Sequence, residues 1–259
     1  MRFVEPKVFL VGETQIIADG FDAYLAEIGA SDWSTTNCIS EAEELVEAGG
    51  RLCYRSWKPG MNVNVTKVRE GNDIYLDNIL KSKHGSVMEH AQINFILHNV
   101  TRVLTHEIVR HRVGCAISQE SMRYVRLTDL PFWEPEWAIE DTELHTRNEL
   151  ILLQLEEHQL WMAQHFELDK ESISFDEKKK KTSYMRRFAP DGVATGMLWS
   201  ANFRTLRHVI EMRSAKHAEE EIRLVFDKIG EIVVKRYPNI FQDFERNQEG
   251  EWIPKYSKV

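Results

Sequence analysis

The sequence predicts a single mixed α+β domain that is rich in helix and contains a modest sheet. A chain of 259 residues is long enough to bury one sizeable core and need not be divided. Two short apolar segments, Val8–Val11 and Ala91–His98, are typical of strands. Two long amphipathic segments, Glu143–Phe166 and Arg204–Tyr237, are typical of helices. No internal repeat or low-complexity linker interrupts the chain, so we expect one domain over residues 1–259.

The N-terminal part should follow its first strand with three helices. The spacing of apolar residues predicts a helix over Phe21–Ile28. Ser40, followed three residues later by Glu43, is a capping-box signature that opens the next helix. We expect Gly49–Gly50 to stop or bend that helix, because glycine is unfavourable in a helix interior. A third helix is predicted over Ile74–Ser82.

The rest of the chain should contain one more clear strand and several helices. The strand Ala91–His98 alternates, with one apolar face formed by Ile93, Phe95 and Leu97. A helix is expected from about Thr101, and residues 131–181 should form a peripheral helical segment. Within it, Lys178–Lys181 is interpreted as a solvated helix face or a mobile loop. Pro238 should end the last long helix.

Composition and charge exclude several classes of protein. The formal net charge of −8 argues against a general nucleic-acid binder, which would usually be basic. The chain has an odd number of cysteines without metal-like spacing, which indicates a reduced intracellular protein: Cys38, Cys53 and Cys115. No apolar run approaches membrane-spanning length, so we expect a cytoplasmic protein without a membrane partner. From the cysteine spacing and the net charge we expect no metal and no stable nucleic-acid partner.

The stretch Arg110–Tyr124 concentrates polar and cationic side chains. Only Glu120 opposes its four cationic or potentially cationic residues, which are Arg110, His111, Arg112 and Arg123. The small residues Gly114–Ala116 let backbone N–H groups approach a ligand, and guanidinium groups bind phosphate or carboxylate in bidentate fashion. The alternative is a set of surface charges at a helix C-terminus. That alternative explains Ser118–Ser121 less well, so the pattern favours an anion pocket.

Three better-known site types are excluded by spacing. His106 and His111 are five residues apart, whereas the zinc-protease helix needs two histidines four apart on one face. Neither Ser118 nor Ser121 lies in a Gly-x-Ser-x-Gly elbow. The chain also has no Gly-rich dinucleotide fingerprint and no P-loop. A nucleotide must therefore be held in another way.

Three motifs in order resemble the flavin-dependent thymidylate synthases, the ThyX family. The sequence RHR at 110–112, followed by SQES-x-RY at 118–124, resembles the family signature. The upstream segment His84–His90, HGSVMEH, is similar to a second element. The C-terminal pattern comprises Arg186, Pro190, Asn202, Arg204, His208, Arg213 and His217-Ala218-x-x-Glu221-Ile222. The resemblance runs from about Arg51 to Phe226.

This resemblance implies both a fold and a reaction. The family fold is α+β, with a central, mainly antiparallel sheet and long helices. It assembles as a homotetramer with active sites at subunit interfaces. The implied reaction is the reductive methylation of dUMP to dTMP. The carbon donor is 5,10-methylenetetrahydrofolate, and NADPH supplies the reducing equivalents through bound FAD.

The resemblance also assigns residues by position. Those matching flavin contacts are Ser86, Arg110, His111, Arg112, Gln119, Asn202, Phe203, Arg204 and His208. Those matching or adjoining nucleotide contacts are Glu107, Arg110, Gln119, Glu120, Ser121, Met122, Arg123, Arg186 and Arg213. Within the second set, Ser121 and Arg123 match contacts to the dUMP phosphate. Arg213 matches the arginine that polarises the uracil ring, and it is the predicted catalytic residue.

The predicted helix Arg204–Tyr237 raises a geometric problem for one shared pocket. Arg204 and His208 share a face, as do Arg213 and His217, because each pair is four residues apart. The two pairs are nine positions apart, which at ~100° per residue places them on opposite faces. We therefore expect either a helix break near Val209–Met212 or an active site shared between subunits.

The sequence departs from the family pattern at two points. Eight residues, Val113–Glu120, separate RHR from Ser121, where the family has seven, and we expect this segment to form a loop between the flavin and nucleotide residues. Glu107 stands where the family commonly has glutamine.

Two alternative functions are considered beside the implied reaction. One alternative function is a related pyrimidine-nucleotide hydroxymethylase that omits the reduction. The other is a non-catalytic relative that binds a nucleotide or RNA. A working flavin enzyme is favoured over this non-catalytic relative by the combined presence of Asn202, Arg204, His208 and Arg213.

Overall fold

The computed structural model describes residues 1–259 and contains nine α-helices and eight strands. The helices are α1 (Ala18–Glu27), α2 (Glu41–Tyr54), α3 (Asn72–Lys81), α4 (Arg102–Ile108), α5 (Glu136–Glu140), α6 (Thr142–His165), α7 (Phe175–Met185), α8 (Phe203–Arg213) and α9 (Glu220–Arg236). The strands are β1 (Arg2–Phe3), β2 (Lys7–Glu13), β3 (Gln92–Thr101), β4 (Cys115–Gln119), β5 (Pro131–Phe132), β6 (Ala194–Asn202), β7 (Phe244–Arg246) and β8 (Trp252–Pro254). Two 3₁₀ turns cover Gly85–Glu89 and Arg186–Phe188.

The chain forms two compact units, each made of three segments. The first unit comprises Met1–Phe9, Ile96–His111 and Ile117–Trp199. The second unit comprises Leu10–Phe95, Arg112–Ala116 and Ser200–Val259. None of the helices combines the length and apolar character that crossing a membrane would require.

The main sheet has four strands in the order β2–β3–β6–β4. Backbone hydrogen bonds within each unit give the relative direction of β4 and β6. Glu120 N donates to Gly196 O at 3.0 Å, and Asn202 N donates to Gly114 O at 2.9 Å. Because the residue number falls along one strand as it rises along the other, the pair is antiparallel. The predicted antiparallel sheet is therefore confirmed. Two small sheets accompany it, a parallel pair β1–β5 and an antiparallel pair β7–β8.

Strand β3 supplies much of the apolar core. Ile93, Phe95 and Leu97 have no exposed surface, as the alternating sequence predicts, and Ile96 between them is 40% exposed. Side chains on successive strand residues point to opposite faces, so one face of β3 packs inward along its length. The strand continues to Thr101, beyond the predicted end at His98.

Helix α2 confirms the predicted start and corrects the predicted end. The Ser40 hydroxyl accepts a hydrogen bond from Glu43 N at 3.3 Å, so the capping residue is as expected. The expected stop or bend at Gly49–Gly50 is wrong as a stop, because the helix continues to Tyr54. A Cβ on Gly50 would lie 2.6 Å from the hydroxyl oxygen of Tyr75, which belongs to α3. The glycine therefore permits close packing of α2 on α3.

This contact predicts opposite effects for two glycine-to-alanine changes. Gly50→Ala should lower the free energy of unfolding by about 1–3 kcal/mol, because the added methyl group overlaps the ring of Tyr75. Gly20→Ala in α1 should instead raise it by roughly 0.5–1 kcal/mol, since a Cβ there meets no atom within 4 Å. Urea denaturation of both variants measures these values. A Gly50→Ala variant as stable as the parent would contradict the packing argument.

The C-terminal half corrects the prediction of one long helix over Arg204–Tyr237. The helix ends at Arg213 as α8, and α9 begins at Glu220. Tertiary partners stabilise the segment between them, which contains neither glycine nor proline. The Ser214 hydroxyl accepts from Trp252 N at 2.9 Å, and Lys216 N donates to the Glu251 carboxylate at 2.7 Å.

The break does not fall where we expected it. The predicted break near Val209–Met212 is wrong, because α8 is continuous from Phe203 to Arg213. Arg204 and Arg213 therefore stay on one helix, nine positions apart and on opposite faces. Arg213 and His217 do not share a helix face, since His217 lies between α8 and α9.

A buried ion pair fixes α8 in the second unit. Arg207 donates from its two terminal nitrogens to the two oxygens of Asp243, at 2.7 and 3.0 Å. It also donates to the backbone oxygens of Ile240 and Tyr256. The side chains of Arg207 and Asp243 are only 5% and 4% exposed. This pair holds the helix that carries Arg204 and Arg213.

The lysine run Lys178–Lys181 lies on α7, so the helix interpretation is correct and the loop interpretation is wrong. Ser174 caps this helix, and its hydroxyl accepts from Glu177 N at 3.2 Å. Lys181 pairs with Glu177 one turn earlier at 2.9 Å. The predicted helix Glu143–Phe166 is also confirmed, as α6.

Candidate active site

In the second unit, the 3₁₀ turn Gly85–Glu89 contacts the beginning of α8. The Arg204 guanidinium donates from Nη1 to the Glu89 carboxylate at 2.5 Å. Its Nε donates to the backbone oxygen of Val259 at 3.0 Å. Gly85 is buried, and a Cβ there would overlap the carbonyl group of Val259. Only glycine allows Val259 to approach the turn so closely, next to Ser86.

Asn202 joins the start of α8 to the segment after the RHR motif. Its side-chain oxygen caps α8 by accepting from Thr205 N at 2.9 Å. The Thr205 hydroxyl donates to Val113 O at 2.8 Å. Gly114 has φ +69°, and a Cβ there would overlap the Asn202 amide. The segment Arg112–Ala116 is therefore docked on the helix N-terminus.

Arg204 and His208 occupy one exposed face of α8, as their spacing predicts. Phe203 has a different position. Its ring is fully buried and packs edge-on against Tyr237, with ring centroids 4.9 Å apart. The Phe203 side chain therefore belongs to the core, while Arg204 and His208 remain accessible. Arg213 ends the helix on the opposite face from Arg204.

In the first unit, α4 delivers Arg110 and His111 at its C-terminal end. Arg110 N donates to Glu107 O at 3.3 Å, and His111 N donates to Ile108 O at 2.9 Å. Both residues thus follow directly on the last helical turn. Arg110 is exposed, and Glu107 is half-buried.

The polar stretch after the RHR motif is a strand. We expected a loop between the flavin and nucleotide residues, and that expectation is wrong because Cys115–Gln119 forms β4. The Gln119 amide nitrogen donates to the Thr105 hydroxyl of α4 at 3.2 Å. Pairing with β6 explains the strand, and a sequence rich in small and polar residues gave no sign of it.

Glu120, the residue after β4, is held by strand β6. Its carboxylate accepts from Gly196 N at 2.9 Å and from the Thr195 hydroxyl at 3.3 Å. Arg102 donates from Nη2 to the backbone oxygen of Glu120 at 3.1 Å. The acid in the basic stretch thus makes two hydrogen bonds to β6.

Ser121 starts a compact turn that presents Arg123. The Ser121 carbonyl oxygen accepts from Tyr124 N and Val125 N, both at 2.9 Å. Its hydroxyl oxygen accepts from Arg123 N at 3.3 Å. No side-chain base is hydrogen-bonded to this hydroxyl, so the geometry favours a binding residue over a nucleophile.

Arg102 is a residue of this region that the sequence did not single out. It lines a cavity of about 200 Å³ whose wall includes Glu120 and Met122. Its Nε is buried and has no hydrogen-bond partner. Burial, followed by the charge of Arg186, lowers the pKa of the Arg102 guanidinium. Two neighbouring cations with an unsatisfied donor favour binding of an anion.

One sequence signal could have identified Arg102. It is the first residue of α4, where the helix dipole makes a cation unfavourable. A cation at that position suggests a partner from outside the helix. The hydroxyls of Thr182 and Ser183, which contact Arg123, carried no comparable signal.

Comparison with known proteins identifies the family. The model of the family described as thymidylate synthase complementing protein matches residues 35–239. A flavin-dependent thymidylate synthase from Corynebacterium diphtheriae is 30% identical over 220 residues, which cover 83% of each chain. The chain belongs to the flavin-dependent thymidylate synthase family. Another member, from Mycobacterium marinum, is 32% identical over 220 residues and covers 82% of this chain and 83% of its own.

Solved structures share the fold of this family member. One is thymidylate synthase X from Helicobacter pylori with FAD and dUMP, with a TM-score of 0.57 and 17% identity. That match covers 92% of this chain and 98% of the other. A second is the UMP/dUMP methylase PolB from Streptomyces cacaoi bound with 5-Br dUMP, with a TM-score of 0.61 and 16% identity. It covers 93% of this chain and 95% of the other.

Each unit of this flavin-dependent thymidylate synthase family member brings together part of the predicted site. In the second unit, Arg204 contacts Glu89 of the turn that contains Ser86, and Asn202 contacts Gly114. In the first unit, the end of α4, strand β4 and the following turn carry the predicted residues Glu107, Arg110, His111, Gln119, Glu120, Ser121, Met122 and Arg123.

Proposed function

We propose that the protein converts dUMP to dTMP, with 5,10-methylenetetrahydrofolate as carbon donor and NADPH as reductant acting through FAD. The observation that carries this proposal is the family match over residues 35–239, a range that contains every proposed site residue. The relatives from Corynebacterium diphtheriae and Mycobacterium marinum are flavin-dependent thymidylate synthases. Thymidylate synthase X from Helicobacter pylori was solved with FAD and dUMP bound.

The residues of the second unit fit an anionic dinucleotide. Arg204 is held at Nε and Nη1, which leaves Nη2 available to a phosphate oxygen. Arg112, His208 and Ser86 are exposed. In the first unit, we assign Arg110, His111 and Gln119 to flavin binding. Bound FAD supplies the hydride chemistry, while these residues orient it and balance its charge.

The residues of the first unit fit a nucleotide monophosphate. Arg123 and Arg186 are cations, and the Ser121 turn adds a hydroxyl and backbone groups. We assign Glu107, Arg110, Gln119, Glu120 and Met122 to the surroundings of the nucleotide. Arg213 is assigned to the uracil ring, where a fixed guanidinium stabilises the negative charge that develops during the reaction.

Helix α8 supports a homotetramer with active sites shared between subunits. Arg204 and Arg213 lie on opposite faces of this continuous helix, so one copy cannot direct both into one pocket. If copies of α8 from neighbouring subunits contribute opposite faces, each site can receive both residues. Sedimentation of the active protein tests this, and a monomer that still turned over would refute it. The single-domain assignment and the cytoplasmic location stay predictions.

The decisive experiment combines colour with product analysis. Purified protein, alone or after addition of FAD, should show flavin absorbance. With NADPH and methylenetetrahydrofolate it should convert dUMP to a product with the mass of dTMP. A product carrying a hydroxymethyl group would indicate the hydroxymethylase alternative. Protein that neither contains nor gains flavin would contradict the proposed function.

A further inference from the structure

The C-terminal end of α7 holds the Ser121–Val125 turn at two adjacent points. The Thr182 hydroxyl donates to the backbone oxygen of Arg123 at 2.7 Å. Beside it, the Ser183 hydroxyl oxygen accepts from Arg123 Nε at 3.1 Å. Consecutive residues of one helix therefore fix both the backbone and the guanidinium group of Arg123.

The shortest hydrogen bond of the Thr182 hydroxyl is to an acceptor outside its own helix. A threonine in a helix commonly bonds to a carbonyl one turn earlier, and Lys178 O lies 3.0 Å away. The contact with Arg123 O is shorter, and it joins segments 59 residues apart in sequence. Thr182 is buried, and removing its hydroxyl would take this donor from the Arg123 carbonyl oxygen.

The Ser183 contact involves only Nε of the Arg123 guanidinium. With Nε bonded to Ser183, the terminal nitrogens Nη1 and Nη2 have no protein partner. A guanidinium held in this way presents two parallel N–H donors, which match two oxygens of a phosphate. Arg186 follows directly on α7, as the first residue of the 3₁₀ turn Arg186–Phe188.

Helix α7 also covers the neighbouring residue of the turn. The ring of Tyr124 stacks on Phe175, with centroids 6.0 Å apart and planes inclined by 11°. Lys179 Nζ lies 5.7 Å from the centroid of the same ring. Helix α7 therefore contacts the Ser121–Val125 turn over the nine residues from Phe175 to Ser183.

We propose that Thr182 and Ser183 are positioning residues for the substrate phosphate. They act through Arg123, whose guanidinium they orient before the nucleotide arrives. The inference rests on the proposed function, in which Arg123 contacts the phosphate of dUMP. It also gives the C-terminal end of α7 a role in substrate affinity.

The test compares dUMP with deoxyuridine, which has the same base and sugar and lacks the phosphate. Thr182→Val and Ser183→Ala should each weaken binding of dUMP to the flavin-loaded protein by about 5- to 10-fold, the range expected for one hydrogen bond. Binding of deoxyuridine should change by less than about 2-fold, since no phosphate is involved. Thr182→Ser keeps the hydroxyl and should restore dUMP affinity. Competition titration measures both ligands, and flavin content should stay at the parent level.

A matched control separates positioning from support of the helix. Ser174→Ala removes the cap of the same helix α7 but touches no residue of the turn. It should lower thermal stability and leave the ratio of dUMP to deoxyuridine affinity unchanged. Equal losses for both ligands in the Thr182 and Ser183 variants, or the same ratio change in Ser174→Ala, would overturn the proposal. Failure of the parent protein to prefer dUMP would instead count against the proposed function.

Discussion

Replacement of Arg213 by alanine is expected to slow dTMP formation by about 100- to 1,000-fold, the cost typical of losing one donor to a developing negative charge. Arg213 is the last residue of α8 and is half-buried. The loss should appear in kcat, because the charge on the uracil ring is larger in the transition state than in bound dUMP. Flavin content should be unchanged, since Arg204 and His208 lie on the opposite face of the helix.

Two further variants make the Arg213 result specific. Arg213→Lys keeps the charge but loses the planar fork, so its kcat should fall between those of the parent and Arg213→Ala. Lys235→Ala removes an exposed cation of α9 and should leave turnover at the parent level. Steady-state kinetics with an absorbance spectrum of each variant provide the comparison. Parent-level turnover in Arg213→Ala would remove this residue from the catalytic assignment.

Replacement of Arg207 by alanine is expected to lower the free energy of unfolding by about 3–5 kcal/mol, the range for breaking a buried ion pair. Asp243 would be left charged with a side chain only 4% exposed. The backbone oxygens of Ile240 and Tyr256 would also lose their donor. Urea denaturation measures the loss. Flavin retention should weaken as well, because Arg207 fixes the helix that carries Arg204.

An exposed pair in the same unit provides the control for Arg207. Arg246 forms a similar two-fold contact with Asp227, but these side chains are 44% and 24% exposed. Arg246→Ala should therefore cost no more than about 1 kcal/mol. Equal losses in the two alanine variants would show that burial does not determine the contribution of the Arg207 pair.

Local sequence signals predicted much of the fold. The cap at Ser40, the alternation in β3 and the Leu- and Glu-rich sequence of α6 all act between near neighbours in the chain. The errors arose where distant residues decide. Gly50 stays helical because Tyr75 packs against it, and the break after Arg213 depends on partners in the C-terminal segment.

The residues of the candidate site show the same contrast between local sequence signals and contacts with distant residues. Motif spacing identified Ser121, Arg123 and Arg204, because their hydroxyl and guanidinium groups are types that bind phosphate. It could not identify Thr182 or Ser183, because an ordinary hydroxyl becomes informative only when the fold places it beside Arg123. The sequence did not predict strand β4, because this strand is stabilised by pairing with the distant strand β6.

The contact of Val259 with Gly85 and Arg204 links the position of this residue to the proposed flavin site. A sequence change that displaced Val259 would remove the acceptor of Arg204 Nε and alter how the guanidinium is oriented. Sequence changes around residue 259 should therefore alter flavin retention.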